Sequence, residues 1–444
     1  MKRAAVVAAV AVCIAALPVA PAGLDVRTAA AGDHRSVPTT LTADEWALFK
    51  HRFVTPDGRV VDMENGGISH SESQGYGMLL AVRADDRAAF DKIRDFTFRH
   101  MRARSDNLVS WIYDPRANPP VRDRNNASDG DIFIAYALVM AAIKWNERGY
   151  LAVAKPIIDD IGRLLLTERG GRTLVRPAAF GFDRGDHTDG PVINLSYYVY
   201  SAFPLFEAVA SEYPFEAASQ SGLSLTLDAV RASRGHAPDW VTLRNDRAFR
   251  PARGFAQRSS YDAVRIPLYM AMAGGVAPRY FAPFDRAWNL SGFRAPKDYD
   301  LVSRRTLMVM NDPGYRAIAA LTACAARGAP IPAVLQRFEP TTYFASSLHL
   351  FALSAARVHY PECLPRNVAA LPGDQVPAAP ALSTAPTAPM TVVAGSREPA
   401  HTRHSFAGAV ATRASGPGDL PHQRSHRGPQ HRPTAQSHRR HFDM

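Results

Sequence analysis

Between residues 42 and 360 apolar side chains recur at helical spacing, in two patterns that alternate along the chain. From Asp129 the segment Ile132 to Trp145 is apolar nearly all round, whereas residues 85–102 show one stripe (Phe90, Ile93, Phe96, Met101) among charged neighbours. Residues 151–167 are striped again. A helix that is apolar on every side must be buried on every side, and a striped helix covers a core from outside. The alternation therefore predicts an all-α chain with an inner ring of helices wrapped by an outer one, an (α/α)6 barrel of six inner and six outer helices. About 330 residues suit about twelve helices of ordinary length. A generic helical bundle or a solenoid competes with this arrangement, and the lack of a visible repeat counts against the solenoid.

Local signals agree with helices. Thr42-Ala43-Asp44-Glu45 reads as a capping box opening a helix through Phe49 and Phe53, and Ser71-Glu72-Ser73-Gln74 reads as a second such start. Further helices are expected over residues 197–211, 262–273, 313–326 and 343–359.

The 444 residues are 46% hydrophobic and 21% charged, which excludes a wholly disordered chain, a coiled coil and a disulfide scaffold. The net charge of +11 is uneven: residues 366–444 hold nine Arg, no Lys and four acids. The body is only mildly basic, so composition does not support nucleic-acid binding. Residues 366–444, rich in Pro, Ala, His and Arg, lack apolar periodicity and are expected to be disordered. Residues 1–31 read as a signal peptide with cleavage near residue 22 or 31, leaving a folded domain over residues 36–365, exported to the periplasm or secreted. No later segment has the roughly 18 apolar residues of a membrane span. Cys324 and Cys363 are equally compatible with one disulfide and with two buried thiols.

Three acids stand at the starts of expected inner helices: Glu72, Asp129 and Asp262. If the inner helices run the same way, their N-termini share one rim and the three acids become one cluster. Each alone is an ordinary helix-start residue. Aromatic neighbours (Tyr76, Trp111, Tyr113, Tyr197, Tyr198, Tyr261) change the weighting. Paired carboxyls beside flat rings suit glycoside hydrolysis, in which rings stack on sugar faces while the acids serve the glycosidic oxygen and a water.

The stretch Ala127-Ser128-Asp129-Gly130-Asp131 through Trp145, the stretch Asn65 to Met78 around Glu72, and Tyr261-Asp262-Ala263-Val264-Arg265 together resemble glycoside hydrolase family 8, most closely its cellulose-synthesis-associated endoglucanases. The resemblance covers about residues 43–363. It implies the (α/α)6 barrel, an inverting mechanism and a β-1,4-glucan substrate, with Glu72 as proton donor, Asp262 as general base and Asp129 positioning the sugar. It further implies substrate contacts from Trp111, Tyr197, Arg265, Tyr76, Gln74 and Asp131, and a cellulose synthase export complex as a partner. No metal or other cofactor is implied. Ser73 replaces the family's usual glycine, and Leu195 stands where Asn-Pro-Ser-Tyr would have proline. Chitosan, xylan or mixed-linked glucan are alternative substrates, and a non-catalytic glucan-binding protein is the alternative class. An Asp129-x-Asp131 metal site of a sugar transferase lacks its phosphate loop. One tension remains: a helix N-terminus lowers the pKa of Glu72, whereas a general acid needs it raised. Repulsion from Asp129 or Asp131 is the expected remedy, so that removing Asp129 would lower the pKa of Glu72.

Overall fold

The computed structural model describes residues 37–364 apart from 188, 245–247 and 293. The expected signal segment and the expected disordered tail lie outside the described residues. Eleven α-helices occur among those described: α1 (Ala43–Phe53), α2 (Ser71–Ala84), α3 (Arg87–His100), α4 (Ser128–Lys144), α5 (Arg148–Leu165), α6 (Phe203–Val209), α7 (Phe215–Ala232), α8 (Arg265–Ala273), α9 (Pro278–Asp285), α10 (Pro313–Arg327) and α11 (Tyr343–His359). None is long and apolar enough to cross a membrane.

The two expected helix types are both present. Helices α2, α4, α8 and α11 are buried along nearly their whole length, whereas α3 and α5 bury one face. The buried helices touch in turn: α2 meets α4, α4 meets the 3-10 turn Leu195–Tyr197, that turn meets α8, α8 meets α11, and α11 returns to α2. The stretch 197–211 is not one helix. Asn194 caps the 3-10 turn by accepting the Ser196 N–H, and α6 starts only at Phe203 with Pro204 in its first turn.

Among the described residues, ten short strands in four small antiparallel sheets accompany the helices. Three of these sheets support the segments of interest. Ser69–His70 pairs with Ile112–Tyr113 immediately before α2. Val192–Ile193 pairs with Val241–Arg244, and Arg258–Ser259 pairs with Lys297–Asp300. Helical periodicity gives no sign of two-residue strands, so pattern reading passes over them.

Capping follows local chemistry. Thr42 and Glu45 form the expected capping box. The start of α2 differs: His70 is the N-cap, its Nδ1 accepting the Ser73 N–H at 3.2 Å while Ser73 Oγ accepts the His70 N–H at 3.1 Å. Asp62 holds the far nitrogen, His70 Nε2, at 3.1 Å. Gln74 is therefore not a capping residue.

Two glycines bring α2 and α4 together. A Cβ on Gly130 would fall 2.0 Å from Ser71 Oγ, and one on Gly75 would fall 2.6 Å from Phe133 Cβ. Only hydrogen fits at these crossings, and the N-terminal turns of α2 and α4 meet as a result. At the other end of the chain, Cys324 of α10 and Cys363 are joined in a disulfide, with Cα atoms 6.1 Å apart.

Candidate active site

Glu72 and Asp129 are each the second residue of a helix, α2 and α4. Asp262 lies in the turn before α8, three residues ahead of Arg265, which opens that helix. The three acids meet at the Arg265 guanidinium. Nη1 donates to Glu72 Oε2 and, at 2.9 Å, to Asp129 Oδ2, while Nη2 donates to Asp262 Oδ1. Arg265 is 1% exposed, and its carboxyl partners are all buried. The guanidinium also lies over two rings, 5.6 Å from the Tyr197 centroid and 5.9 Å from that of Phe344, within the range of cation–π attraction.

Three carboxyls share one cation in a dry setting, so they cannot all be ionised cheaply. Burial raises the pKa of Glu72, opposed by Arg265 and by a hydrogen bond with Asp129. Asp129 is pushed up to about 7, first by burial and then by the neighbouring Glu72. Asp262 is also raised by burial, with Arg265 and Asn194 opposing. The helix-dipole tension is thus resolved by burial, with added repulsion at Glu72 from Asp262 and Asp62. Asp131 is not among the principal groups acting on Glu72, and Glu72 and Asp129 act as one coupled pair at the Arg265 guanidinium.

The structure places three of the expected substrate contacts inside the protein. Gln74 is fully buried, and its Oε1 accepts the Val60 N–H at 2.7 Å while Nε2 donates to Thr97 Oγ1 at 2.8 Å. Asp131 accepts the Val109 N–H and Asn126 Nδ2, both at 2.9 Å, and so ties a loop to α4. Tyr76 is buried between Phe133 and Phe351, with its hydroxyl on that of Tyr269. In each case the polar group is already engaged inside the protein. Asp129 and Asp131 also face different partners, which leaves no paired D-x-D ligand set.

Trp111 does lie beside the site. Its carbonyl accepts the Ser71 N–H at 2.9 Å, and its indole Nε1 donates to Asp123 at 2.8 Å. Tyr197 stands against Arg265 on one side and Trp240 on the other, the latter at 6.1 Å between centroids. Sequence reading missed Phe344, Trp240, Asn194 and Asp239. Trp240 stacks on Phe255 at 4.7 Å, while Phe344 neighbours Tyr261 at 6.5 Å and Tyr315 at 6.3 Å. Asn194 was legible as the first residue of the departed Asn-Pro-Ser-Tyr motif, whereas nothing local marked the other three.

Acidic groups gathered around a cation, with raised pKa values and flanked by aromatic rings, are the parts of an acid–base glycoside hydrolase. Comparison with known proteins gives the family. The profile of glycosyl hydrolases family 8 matches residues 28–357, and the chain belongs to that family. It is 36% identical over 282 residues to a probable endoglucanase of Novacetimonas hansenii, covering 63% of this chain and 82% of the relative. The solved structure of endo-beta-1,4-glucanase CMCax from Acetobacter xylinum superposes with a TM-score of 0.63 at 33% identity, covering 71% of this chain and 97% of that one. A family 8 endoglucanase from Klebsiella pneumoniae gives 0.62 at 32% identity, over 71% and 99% of the two chains.

Proposed function

We propose that this glycoside hydrolase is an inverting endo-β-1,4-glucanase acting on cellulose-type glucan, with Glu72 as proton donor and Asp262 as general base. The observation that carries this reading is the Arg265 guanidinium standing between those two carboxyls. It gathers both carboxyls into one buried site, where an acid and a base can serve the same bond. The similar endoglucanases support the substrate.

In the forward step Glu72 gives its proton to the glycosidic oxygen as the C1–O bond breaks. Asp262 takes a proton from the water that attacks C1 from the opposite face, which inverts the anomeric centre. Asp129, hydrogen-bonded to Glu72 and to Arg265, positions the sugar at the cleavage point. Tyr197 and Trp111 supply ring faces.

The same reading closes the helices as an (α/α)6 barrel with its inner helix starts at one rim, supported by the succession of contacts among buried helices. It places the mature protein outside the cytoplasm, which the disulfide supports. A place beside a cellulose synthase export complex rests on the resemblance of the Glu72, Asp129 and Asp262 segments to cellulose-synthesis-associated endoglucanases.

Carboxymethylcellulose hydrolysis tests the assignment. General acid–base groups contribute roughly 10²–10⁴-fold, and Glu72→Gln and Asp262→Asn are each expected to lose a factor in that range while remaining folded. Full activity in either variant would remove that residue from its role. Absence of cleavage by the unaltered protein on carboxymethylcellulose, chitosan and xylan alike would favour a glucan-binding protein instead.

A further inference from the structure

Asp239 is a second buried carboxyl behind Asp262, and the acid–base step does not use it. One of its oxygens, Oδ1, accepts two backbone N–H groups, Ser260 at 2.7 Å and Ala263 at 2.9 Å. Tyr261 and Asp262 lie between those two donors, so the carboxyl clamps from inside the turn that presents Asp262. The clamp is itself anchored, because the Asp239 N–H donates to the Arg258 carbonyl at 2.8 Å and Arg258 belongs to a sheet strand. Within the turn, Val264 N–H bonds the Ser260 carbonyl at 3.0 Å and Arg265 N–H bonds the Asp262 carbonyl at 3.1 Å. The Asp239 contacts therefore fix the base and the arginine together.

We propose that Asp239 is a positioning residue that sets the place of the Asp262 carboxylate. This rests on the reading of Asp262 as the base. The charged groups nearest Asp239 are Asp262 and Asp298, both acidic, and Arg258 is engaged with Asp298 at 3.0 Å. Burial and the Asp262 charge push Asp239 well above the carboxylate range. The one oxygen that accepts both N–H groups is an oxygen that an asparagine side chain reproduces.

The test uses the full chain and cellohexaose, with Asp239→Ala, Asp239→Asn and Asp262→Ala assayed with and without azide. Azide needs no base: it attacks C1 opposite the leaving oxygen, the C1–O electron pair stays with that oxygen, and Glu72 supplies the proton, giving an α-glycosyl azide. A misplaced base predicts that Asp239→Ala loses kcat by roughly 10–100-fold, a partial loss of acid–base catalysis, with KM changed less than about twofold. Azide should restore much of that loss, and Asp239→Asn should recover most of kcat. Asp239→Ala with wild-type kcat overturns the proposal. So does a loss that azide does not relieve and that Asp239→Asn shares. If Asp239→Ala fails to fold, Asp239→Ser, which accepts one of the two N–H groups, is read by the same criteria. Asp262→Ala separates the two readings: activity surviving there, or no azide product from it, removes the base assignment whatever Asp239 does.

Discussion

At the scale of single residues, the site is a problem of charge in a dry place. Burial raises the pKa of Glu72, Asp129 and Asp262, and the single Arg265 only partly offsets it. Asp129, at about 7 in the folded chain, gives the clearest consequence for stability. Its folded pKa exceeds the unfolded one, so its contribution is complete below the ordinary carboxylate range and is lost as pH rises through about 7. Asparagine at that position never ionises. Thermal melts should show Asp129→Asn gaining Tm relative to the unaltered protein between pH 4 and pH 8, and a constant difference would contradict the assigned shift. All three acids and Arg265 were legible in the sequence from their motifs. Gln74, Asp131 and Tyr76 sit beside them in the same motifs, and adjacency along a helix does not say which way a side chain faces. Only packing decides that, and it turns these three inward.

At the scale of elements, the proximity of Glu72 and Asp129 is set by how closely α2 approaches α4. A methyl group on Gly130 would strike Ser71 Oγ and come 2.7 Å from the Glu72 backbone nitrogen. Overpacking of this kind costs about 1–3 kcal/mol, and here the strain falls on the turn that aims the acid. Gly130→Ala is therefore expected to lower Tm and to reduce kcat on carboxymethylcellulose more than tenfold, and an unchanged kcat would show that helix separation does not control the site. The helices themselves could be read from periodicity, including the buried character of α4. Less visible were the elements that follow no long period: the two-residue strands, the 3-10 turn at Leu195, and the His70–Ser73 cap. Ser73, the departure from the family's glycine, is half of that cap. Its hydroxyl also donates to the His70 carbonyl at 2.7 Å, so the substitution has a structural partner.

At the scale of the whole molecule, the Cys324–Cys363 link closes a 39-residue span that contains α11, and with it Tyr343 and Phe344. A loop of that length is stabilised by about 3–4 kcal/mol in the chain-entropy account. Reduction, or replacement of both cysteines by serine, should lower Tm by roughly 6–16 °C, at about 2–4 °C per kcal/mol, the range of domains of 150–250 residues. Reductant should leave the double variant unchanged, which separates the bond from any other effect of the reagent. The sequence left this pairing open because 39 residues of spacing say nothing about distance in space. The arrangement around Arg265 also has a consequence in time. With the proposed roles, each cut delivers a proton from Glu72 to the departing oxygen and leaves one from water on Asp262, so the catalyst ends a cycle with its proton on the wrong side. The enzyme that releases product is not yet the enzyme that can bind and cut again. Because one guanidinium grips both carboxyls, every turnover includes a reset, and the interval between cuts contains the return of a proton as well as the departure of sugar.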